Sequence, residues 1–408
     1  MRRIDEVRWQ SANSFMKNFC WYGALCVGLS LTAMTSGAQT ARDLAPGVSY
    51  SHVVDPRGPW SIHTVRIDLA RAGVTLREAH GRDALRGREK TTEMVRRAVA
   101  SGEEVLVAVN ADFFDLKTGE NENNQVIGGE WWKGVKVTES PFDTYDNVHA
   151  QFALDALGQP MIDRFMFDGR AWTRTASTPL ITVNANPSGN PEGTALYTSR
   201  FGANTPRDTT RVTAEAMLAR VGQRGDTLLW VRTGTVSNTS GSAIPTNGAV
   251  ISAYGARTKE IVAMTDGDTV RTLLTTLPRM RNGGAPALVI GGWPRILLNG
   301  DNVAGAAATV EGTISRNAEA RHPRTAIAYS RDRRILWLYV VDGRSAVSVG
   351  MTLIEMADAL KKLGAWDAMN FDGGGSTTMV IGGAMVNVPS DPTGEREVGN
   401  ALLVLKKR

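Results

Sequence analysis

The sequence predicts an α+β fold in which helices pack against a mixed β-sheet core. Short apolar runs such as 105–109 are typical of buried strands. Two segments, 91–100 and 352–363, have apolar residues at helical spacing and are predicted to be helices. Strand–helix–strand order occurs twice, at 65–109 and at 335–371. This repetition indicates a sheet that is covered by helices.

Both of these units end in an apolar strand that is followed by an asparagine and an aspartate. Asn110 and Asp112 follow the first strand, and Asn370 and Asp372 follow the second. The similarity suggests a weak internal duplication. We therefore expect the two strand ends to lie side by side in one mixed sheet.

The rest of the chain is predicted to be organised around one main domain, 60–408. Residues 60–69 alternate as a half-buried strand does, and 74–79 is expected to be its hairpin partner. The segment from about 163 to 280 is richer in Thr, Ser, Asn and Arg, yet it still contains strand patterns. It is interpreted as a β-rich middle section that elaborates the fold, and 39–59 as an N-terminal extension.

Residues 1–38 have the pattern of a secretory signal peptide. A basic start at 16–18 precedes a mostly apolar run, 19–33, which is too short to span a bilayer comfortably. Small residues at 36–38 form a cleavage site before Gln39. We expect Met16 to be the true start and the protein to be exported, either periplasmic or secreted. An uncleaved membrane-anchored form is the alternative, and no stable membrane insertion is expected after cleavage.

The composition excludes several classes of site. Both cysteines, Cys20 and Cys26, lie in the predicted signal, so the mature chain has no disulfide, thiol nucleophile or thiolate metal site. Of the net charge of +5, residues 1–38 carry +2, which leaves +3 on the mature chain. This mild charge without a Lys/Arg block does not suggest nucleic acid as a partner.

The glycine-rich stretch at 369–380 is the strongest candidate for a site. Asp372 ends a predicted strand and is followed by three glycines and three hydroxyl residues. Glycine lets backbone amides approach a ligand closely, and successive amides can bind an anion. A carboxylate beside such donors suits an acid, base or nucleophile next to an oxyanion cradle. A tight turn between two strands is the alternative interpretation.

Six motifs occur in the order seen in phosphodiester glycosidases, and the chain resembles this family over roughly residues 60–405. The motifs are Asn-Ala-Asp-Phe-Phe at 110–114, Ile-Gly-Gly-Trp-Pro at 290–294, His-Pro-Arg-Thr-Ala-Ile-Ala at 322–328, Val-Asp-Gly-Arg at 341–344, Asn-Phe-Asp-Gly-Gly-Gly-Ser-Thr-Thr-Met at 370–379, and Arg-Glu-Val-Gly-Asn-Ala-Leu at 396–402. Two motifs depart from the family pattern. Ala111 and Asp112 stand where the family more often has two glycines, and Ala328 stands where it often has glycine. Asp112 adds a carboxylate that bears on substrate choice or metal use.

The resemblance implies cleavage of the bond between a sugar C1 and a phosphate oxygen. The leaving phosphate monoester has a second pKa of about 6, so it departs with little help from an acid. One carboxylate plus cations then suffices where ordinary glycosidases need two carboxylates. Asp372 is implied as the nucleophile or base, Arg324 and Arg344 as the phosphate-binding residues, and His322 as a candidate proton donor.

Further binding residues are implied by the same resemblance. The cradle would be completed by the backbone amides of Gly373, Gly374 and Gly375 together with Ser376 and Thr377. The remaining substrate-binding candidates are Asn110 and Asn400, for sugar hydroxyls, and the carboxylates Asp112 and Asp342.

Structural alternatives remain open for most of these candidates. Arg324 could be a surface ion-pair partner, Arg344 a hairpin-tip residue and His322 a loop residue, while Asn110 and Asp112 could cap turns. No cofactor is predicted.

A divalent metal is the open alternative to that expectation. Asp112, Asp342 and Asp372 would suit Ca²⁺ or Mg²⁺, but no sequential Asp-x-Asp-x-Asp loop is present.

Three functions are compatible with the sequence. The leading one is an exported hydrolase of sugar-1-phosphodiesters in glycans or cell-wall polymers. The second is a glycosidase or phosphodiesterase that cuts another bond in an exopolysaccharide. The third is a non-catalytic glycan-binding protein. The sequence favours catalysis because Asp372, Arg324 and the glycine run are present together.

Overall fold

The computed structural model describes residues 39–407, except 139–146, 188–191 and 313–318. The predicted signal peptide, including Met16, therefore lies outside the described residues. Among the described residues, no helix is long and apolar enough to cross a membrane.

The described chain consists mainly of short strands. The first half contains β1 (Gln39–Ala45), β2 (Val48–Asp55), β3 (Trp60–Asp68), β4 (Val74–His80), β5 (Glu89–Lys90), β6 (Val105–Asn110), β7 (Gln125–Ile127), β8 (Glu130–Val135), β9 (Gln151–Leu154), β10 (Pro160–Asp163), β11 (Met166–Trp172), β12 (Ser177–Leu180), β13 (Thr182–Val183) and β14 (Gly193–Thr198). The second half contains β15 (Thr213–Arg224), β16 (Thr227–Ser237), β17 (Gly248–Tyr254), β18 (Thr269–Leu277), β19 (Leu288–Gly291), β20 (Arg295–Leu298), β21 (Asp301–Asn302), β22 (Arg324–Ser330), β23 (Ile335–Val341), β24 (Ala365–Asn370), β25 (Met379–Ile381), β26 (Ala384–Met385), β27 (Glu397–Val398) and β28 (Asn400–Lys406).

The α-helices of the described residues are short. They are α1 (Thr91–Ala100), α2 (Thr258–Val262), α3 (Ala307–Val310) and α4 (Leu353–Lys362). The first turn of α4 is closed by a capping box between Thr352 and Glu355, an arrangement that satisfies otherwise unpaired amides at a helix start.

The strands form large sheets among the described residues. An eight-stranded sheet has the order β1-β2-β3-β23-β22-β24-β20-β21, and a five-stranded sheet has the order β26-β25-β6-β28-β4. A thirteen-stranded sheet contains the strands of the middle section. Only β13 and β14 are parallel among the described pairs that involve these sheets; the others are antiparallel.

The predicted α+β class with a mixed sheet is wrong. The protein is mostly β, with 47% of residues in strands and 12% in helices. The two predicted helices exist, but each is ten residues long and lies on the outside of extensive antiparallel sheets. Helix periodicity is a local signal, whereas the amount of sheet depends on strand pairs that are distant in sequence, such as β3 with β23.

The eight-stranded and five-stranded sheets share one hydrophobic core. Ile327 and Leu338 of the first sheet belong to the same buried cluster as Val109 and Leu402 of the second. On the outer face of the eight-stranded sheet, Met356 and other apolar residues of α4 are buried. The helix α1 covers the five-stranded sheet in the same way. The result is a pair of packed sheets with a helix on each outer side.

Two expected strand pairings differ in the structure. The segments 60–69 and 74–79 are strands, but they do not form a hairpin: β3 pairs with β2 and β23, and β4 pairs with β28. The strands β6 and β24 also lie in different sheets. Their ends nevertheless meet, because the amide of Asp372 donates to the carbonyl of Ala111 at 2.7 Å.

The N-terminal residues 39–55 form β1 and β2 at one edge of the eight-stranded sheet. Eight strands, β11 to β18, lie between Met166 and Leu277 and belong to the thirteen-stranded sheet. That sheet packs around a core of its own, which includes Phe167, Leu218 and Trp230.

Candidate functional site

The candidate site lies where the chain passes from the eight-stranded sheet to the five-stranded sheet. The strand β24 ends at Asn370, and β25 begins at Met379 in the other sheet. Between them, residues 374–376 form a tight 3₁₀ turn. The positive φ of Gly374, 61°, is the left-handed conformation that glycine adopts most easily.

Three neighbouring strands bring polar residues to this turn. Because β22 is antiparallel to both β23 and β24, the start of β22 lies beside the ends of the other two. The segment 322–324 therefore adjoins both the turn at 342–344 and the glycine turn. The amide of Gly374 donates to the carbonyl of Pro323 at 2.9 Å, which fixes this contact.

A cavity of about 180 Å³ lies over the glycine turn. Seven residues predicted from the sequence line it: His322, Arg324, Arg344, Asp372, Gly373, Gly374 and Gly375. Phe113 and Arg396 also line it, and neither was predicted as a site residue. The cavity therefore combines one carboxylate with three guanidinium groups.

Asp372 supplies the carboxylate of the cavity. Burial raises its pKa to about 6, although a hydrogen bond from Ser376 and the charge of Arg396 act in the opposite direction. The amide of Gly373 donates to Oδ1 at 2.9 Å. At neutral pH the carboxylate is therefore mainly ionised and is a stronger base than an exposed aspartate.

Arg324 is almost completely buried beneath the cavity. Its Nε donates to the carbonyl of Met351 at 3.0 Å, and its Nη2 donates to the carbonyl of Ala320 at 2.9 Å. Burial lowers its pKa to about 10, with a further contribution from Arg344, and it remains charged at neutral pH. The surface ion-pair interpretation does not match this burial.

Arg344 is placed as its predicted phosphate-binding role requires, whereas His322 does not suit its predicted role as a proton donor. Arg344 is exposed, has a φ of 61°, and donates from Nη1 to the Ser390 hydroxyl at 3.3 Å. Burial lowers the pKa of His322, and the charges of Arg324 and Arg344 lower it further. The imidazole is therefore mainly neutral at pH 7, which favours proton acceptance over proton donation.

The backbone amides of the glycine turn already have protein acceptors in part. Gly373 donates to Asp372 and Gly374 donates to Pro323, as described above. The amides of Ser376 and Thr377 donate to the carbonyls of Gly373 and Gly374, at 3.2 and 3.3 Å. The positive potential of the cavity therefore comes chiefly from arginine side chains.

Asn110 lies beneath the turn and not in the cavity lining. Its Nδ2 donates to the carbonyl of Asp372 at 2.6 Å, and its Oδ1 accepts from the amide of Thr378 at 3.0 Å. The hydroxyl of Thr325 also donates to Oδ1, at 2.8 Å. Asn110 thus ties both ends of the glycine turn to β22.

Asp112 and Asn400 are buried away from the cavity lining. Asn123 donates to Asp112 from its amide at 3.1 Å and from Nδ2 at 2.7 Å, and the Asp112 amide donates to Asn400 Oδ1 at 2.9 Å. Asn400 Nδ2 in turn donates to Glu78. Burial raises the pKa of Asp112 to about 7. Its carboxylate also packs against Gly291, where a Cβ would overlap it.

Asp342 is the centre of a second buried network. Burial alone would raise its pKa, but a hydrogen bond from His63 and the charge of that residue hold the pKa below its usual value. Ser61 donates to Oδ2 at 2.8 Å, and the amide of Val388 donates to Oδ1 at 2.9 Å. Asp342 therefore supports the loops around the cavity without lining it.

The remaining predicted residues are also buried. Ser376 is fully buried, and its Oγ lies 3.4 Å from Arg396 Nη1, which donates to it. Thr377 is buried and its carbonyl accepts from Asn387. Within the described ranges, no group of three or more His, Cys, Asp or Glu residues is arranged to hold a metal ion.

Arg396 was part of a motif that carried the family resemblance, but sequence analysis gave it no role. It lies 24 residues beyond Asp372, and no periodicity connects the two. Phe113 likewise belonged to a quoted motif. Its ring packs edge-on against Trp293, with centroids 5.4 Å apart, beside the cavity.

Comparison with known families confirms the predicted resemblance. Residues 225–405 match the family model described as phosphodiester glycosidase. This match contains every residue that lines the cavity except Phe113.

The chain matches only part of the length of its curated relatives. Bovine N-acetylglucosamine-1-phosphodiester alpha-N-acetylglucosaminidase is 31% identical over 146 residues, which is 36% of this chain and 25% of that protein. The chain therefore matches about a quarter of this curated relative.

Two solved structures share the fold. A hypothetical protein from Synechocystis matches with a TM-score of 0.67 at 21% identity, over 88% of this chain and 62% of that one. A putative exported protein from Burkholderia pseudomallei matches with a TM-score of 0.62 at 24% identity, over 85% of this chain and 74% of that one.

Proposed function

We propose that the protein is a hydrolase that cleaves the glycosidic bond of sugar-1-phosphodiesters. The observation that carries this proposal is the Asp372 carboxylate in a cavity with Arg324, Arg344 and Arg396. The three guanidinium groups give the cavity a positive charge, which suits the binding of a phosphate group. The match of residues 225–405 to phosphodiester glycosidases supports the same reaction.

In the proposed reaction the bond between the sugar C1 and the bridging oxygen breaks. The electron pair of that bond leaves with the phosphate monoester, and a water oxygen finally becomes the hydroxyl at C1. Asp372 acts either by attacking C1 or by taking a proton from that water. Its pKa of about 6 leaves it ionised at neutral pH, as both roles require.

The arginines act on the leaving group. Guanidinium groups match phosphate oxygens in geometry and remain charged, so they stabilise the negative charge that develops on the phosphate. Among the residues that the structure describes, no second carboxylate lines the cavity. The phosphate leaves without a strong acid because its second pKa is about 6.

The substrate and location are proposals of the same kind. The bovine relative is named for N-acetylglucosamine-1-phosphodiesters, so this sugar is the first to test. Glycans or cell-wall polymers with sugar-1-phosphodiester links are the proposed natural substrates. The signal-like residues 1–38 favour export, in line with the exported label of the Burkholderia structure.

The test uses a sugar-1-phosphodiester whose second ester is p-nitrophenol. Glycosidic cleavage releases the free sugar and p-nitrophenyl phosphate, which yields colour only after a phosphatase is added. Cleavage of the other ester would release p-nitrophenol directly and leave sugar 1-phosphate. The products therefore identify which of the two esters is cut. Hydrolysis in H₂¹⁸O then separates the two bonds of the sugar ester, because C1–O cleavage places the label in the sugar and O–P cleavage places it in the phosphate.

Asp372→Asn is expected to reduce kcat at least about 10³-fold. Asp301→Asn, which changes an exposed aspartate, is the matched control and should retain parent activity. Equal turnover in the parent and Asp372→Asn would refute the mechanism. Glycan binding without turnover in the parent would favour the non-catalytic alternative.

A further inference from the structure

We infer that Arg396 is a phosphate-binding residue of this site and that Asp391 holds it in position. We further infer that the segment 387–396 presents Arg396 and Arg344 to the phosphate together. The inference rests on the proposed function for the identity of the phosphate, and it adds residues to which sequence analysis assigned no role.

The ion pair between Arg396 and Asp391 fixes the plane of the guanidinium group. Arg396 Nε donates to Asp391 Oδ2 at 2.8 Å, and Nη2 donates to Oδ1 at 3.1 Å. This paired geometry occupies one edge of the guanidinium. The third nitrogen, Nη1, points the other way and lies 3.4 Å from the Ser376 hydroxyl. The side chain of Arg396 therefore lies at the cavity in an orientation that Asp391 fixes.

The ion pair rests directly on the glycine turn. A Cβ on Gly375 would overlap both Arg396 Nη2 and Asp391 Oδ1. The third glycine of the run thus makes room for the ion pair, and its φ does not require glycine. Ser376 links the ion pair to the carboxylate of the site: it accepts a hydrogen bond from Arg396 and also hydrogen-bonds the Asp372 carboxylate.

The same segment also contacts Arg344, which is exposed. Ser390, next to Asp391, accepts from Arg344 Nη1 at 3.3 Å. A Cβ on Gly374 would lie 3.0 Å from Arg344 Nη2, so this arginine also packs on the turn. Two consecutive residues of one segment therefore position two guanidinium groups over two consecutive glycines.

The segment is anchored at both ends. At one end Asn387 donates to the carbonyl of Thr377 at 3.1 Å and accepts from the amide of Met379 at 2.7 Å. Near the other end, Glu395 accepts from the amide and the hydroxyl of Thr92, at 2.9 and 2.6 Å. Anchoring of this kind holds the charges before the ligand arrives, which strengthens electrostatic stabilisation.

Arg324 differs from these two arginines. Its Nε and Nη2 both donate to main-chain carbonyls, so much of its hydrogen-bonding capacity is used within the fold. Arg324 therefore contributes its positive charge to the cavity from a position fixed by the main chain, whereas Arg396 is positioned by the side chain of Asp391.

The test measures binding of methyl phosphate to the full mature protein by isothermal titration calorimetry at fixed ionic strength. Arg396→Gln is expected to weaken binding about 10-fold to 100-fold, because charged hydrogen bonds are lost. Arg396→Lys should recover only part of the affinity, since lysine cannot pair with Asp391 along one edge. Arg281→Gln, an exposed arginine outside the cavity, is the matched control.

Asp391→Asn tests positioning. It is expected to weaken methyl phosphate binding about 3-fold to 10-fold while the thermal midpoint stays near that of the parent. A purely structural ion pair would show the reverse, with a lower midpoint and unchanged binding, and that result would overturn the positioning role.

The binding result is separate from turnover. Parent affinity in a folded Arg396→Gln variant overturns the inference even if the parent hydrolyses the phosphodiester, and so does a parent that binds no methyl phosphate. Binding that depends on Arg396 in a parent without turnover supports the inference and refutes the proposed function.

Discussion

Asn110 Nδ2 donates to the main-chain carbonyl of Asp372 at 2.6 Å, across the boundary between two sheets. The donor ends β6, and the acceptor follows β24. Since Asn110 Oδ1 also accepts from the amide of Thr378, one side chain spans the glycine turn from end to end.

Replacing Asn110 with leucine is therefore expected to destabilise the protein and to slow catalysis. The buried carbonyl of Asp372 and amide of Thr378 would lose their partners, which costs about 2–4 kcal/mol in the free energy of unfolding. Urea denaturation and kcat measure the two effects. Asn204→Leu, at an exposed asparagine, is the control. If the free energy of unfolding of Asn110→Leu lies within about 0.5 kcal/mol of the parent value, Asn110 does not hold the glycine turn in this way.

The acid limb of the pH–rate profile is expected to report Asp372. Its pKa of about 6 means that kcat/KM should fall roughly tenfold for each pH unit below that value. The profile should be measured with a phosphodiester substrate, which does not itself titrate in this range. A constant kcat/KM down to pH 4.5 would argue against an essential ionised aspartate.

Removing the charge of Asp372 is expected to stabilise the fold at neutral pH. Folding raises this pKa above the usual value of 3.8, so stability is lost as pH rises from about 4 to about 6. The Asp372→Asn variant does not undergo this loss. We expect its free energy of unfolding at pH 7 to be larger than that of the parent by about 1–3 kcal/mol.

The comparison should be made by urea denaturation at pH 7 and pH 5, and the difference should shrink at the lower pH. Asp332→Asn is the control, and it should lower the free energy of unfolding at pH 7. Hydrogen bonds from Ser330 and the Arg334 amide lower the pKa of Asp332, so its charged form stabilises the fold. A less stable Asp372→Asn at pH 7 would show that burial does not penalise this carboxylate.

Gly375→Ala is expected to displace the ion pair between Arg396 and Asp391. The new methyl group would overlap both side chains, so KM for the phosphodiester should rise by about 10-fold or more. Gly73→Ala is the matched control, because a Cβ there meets nothing within 4 Å. Unchanged KM in Gly375→Ala would mean that the ion pair can move without loss of binding.

Export is expected to produce a mature chain that begins at Gln39. Expression of the gene in a Gram-negative host, followed by intact-mass analysis of the periplasmic fraction, measures this directly. Since both cysteines precede Gln39, the mature protein should also lack reactive thiols. An uncleaved chain in the membrane fraction would support the anchored alternative.

The sequence by itself determined the centre of the candidate site. His322 and Arg324 are neighbours in the chain, as are Asp372 and its glycines, and adjacent strands of one sheet bring the two groups together. Local patterns also placed α1 and α4 correctly, because apolar residues at helical spacing are a signal that acts within a few residues.

Only the tertiary structure decided which polar residues face the cavity. Asn110, Asp112 and Asn400 have the same residue types that bind sugars, yet each is buried in hydrogen bonds to other parts of the chain. Arg396 reaches the cavity through an ion pair with Asp391 that no spacing in the sequence reveals. The mostly β class has the same origin, since strand pairing between distant segments sets the extent of the sheets and leaves no periodic trace in either strand alone.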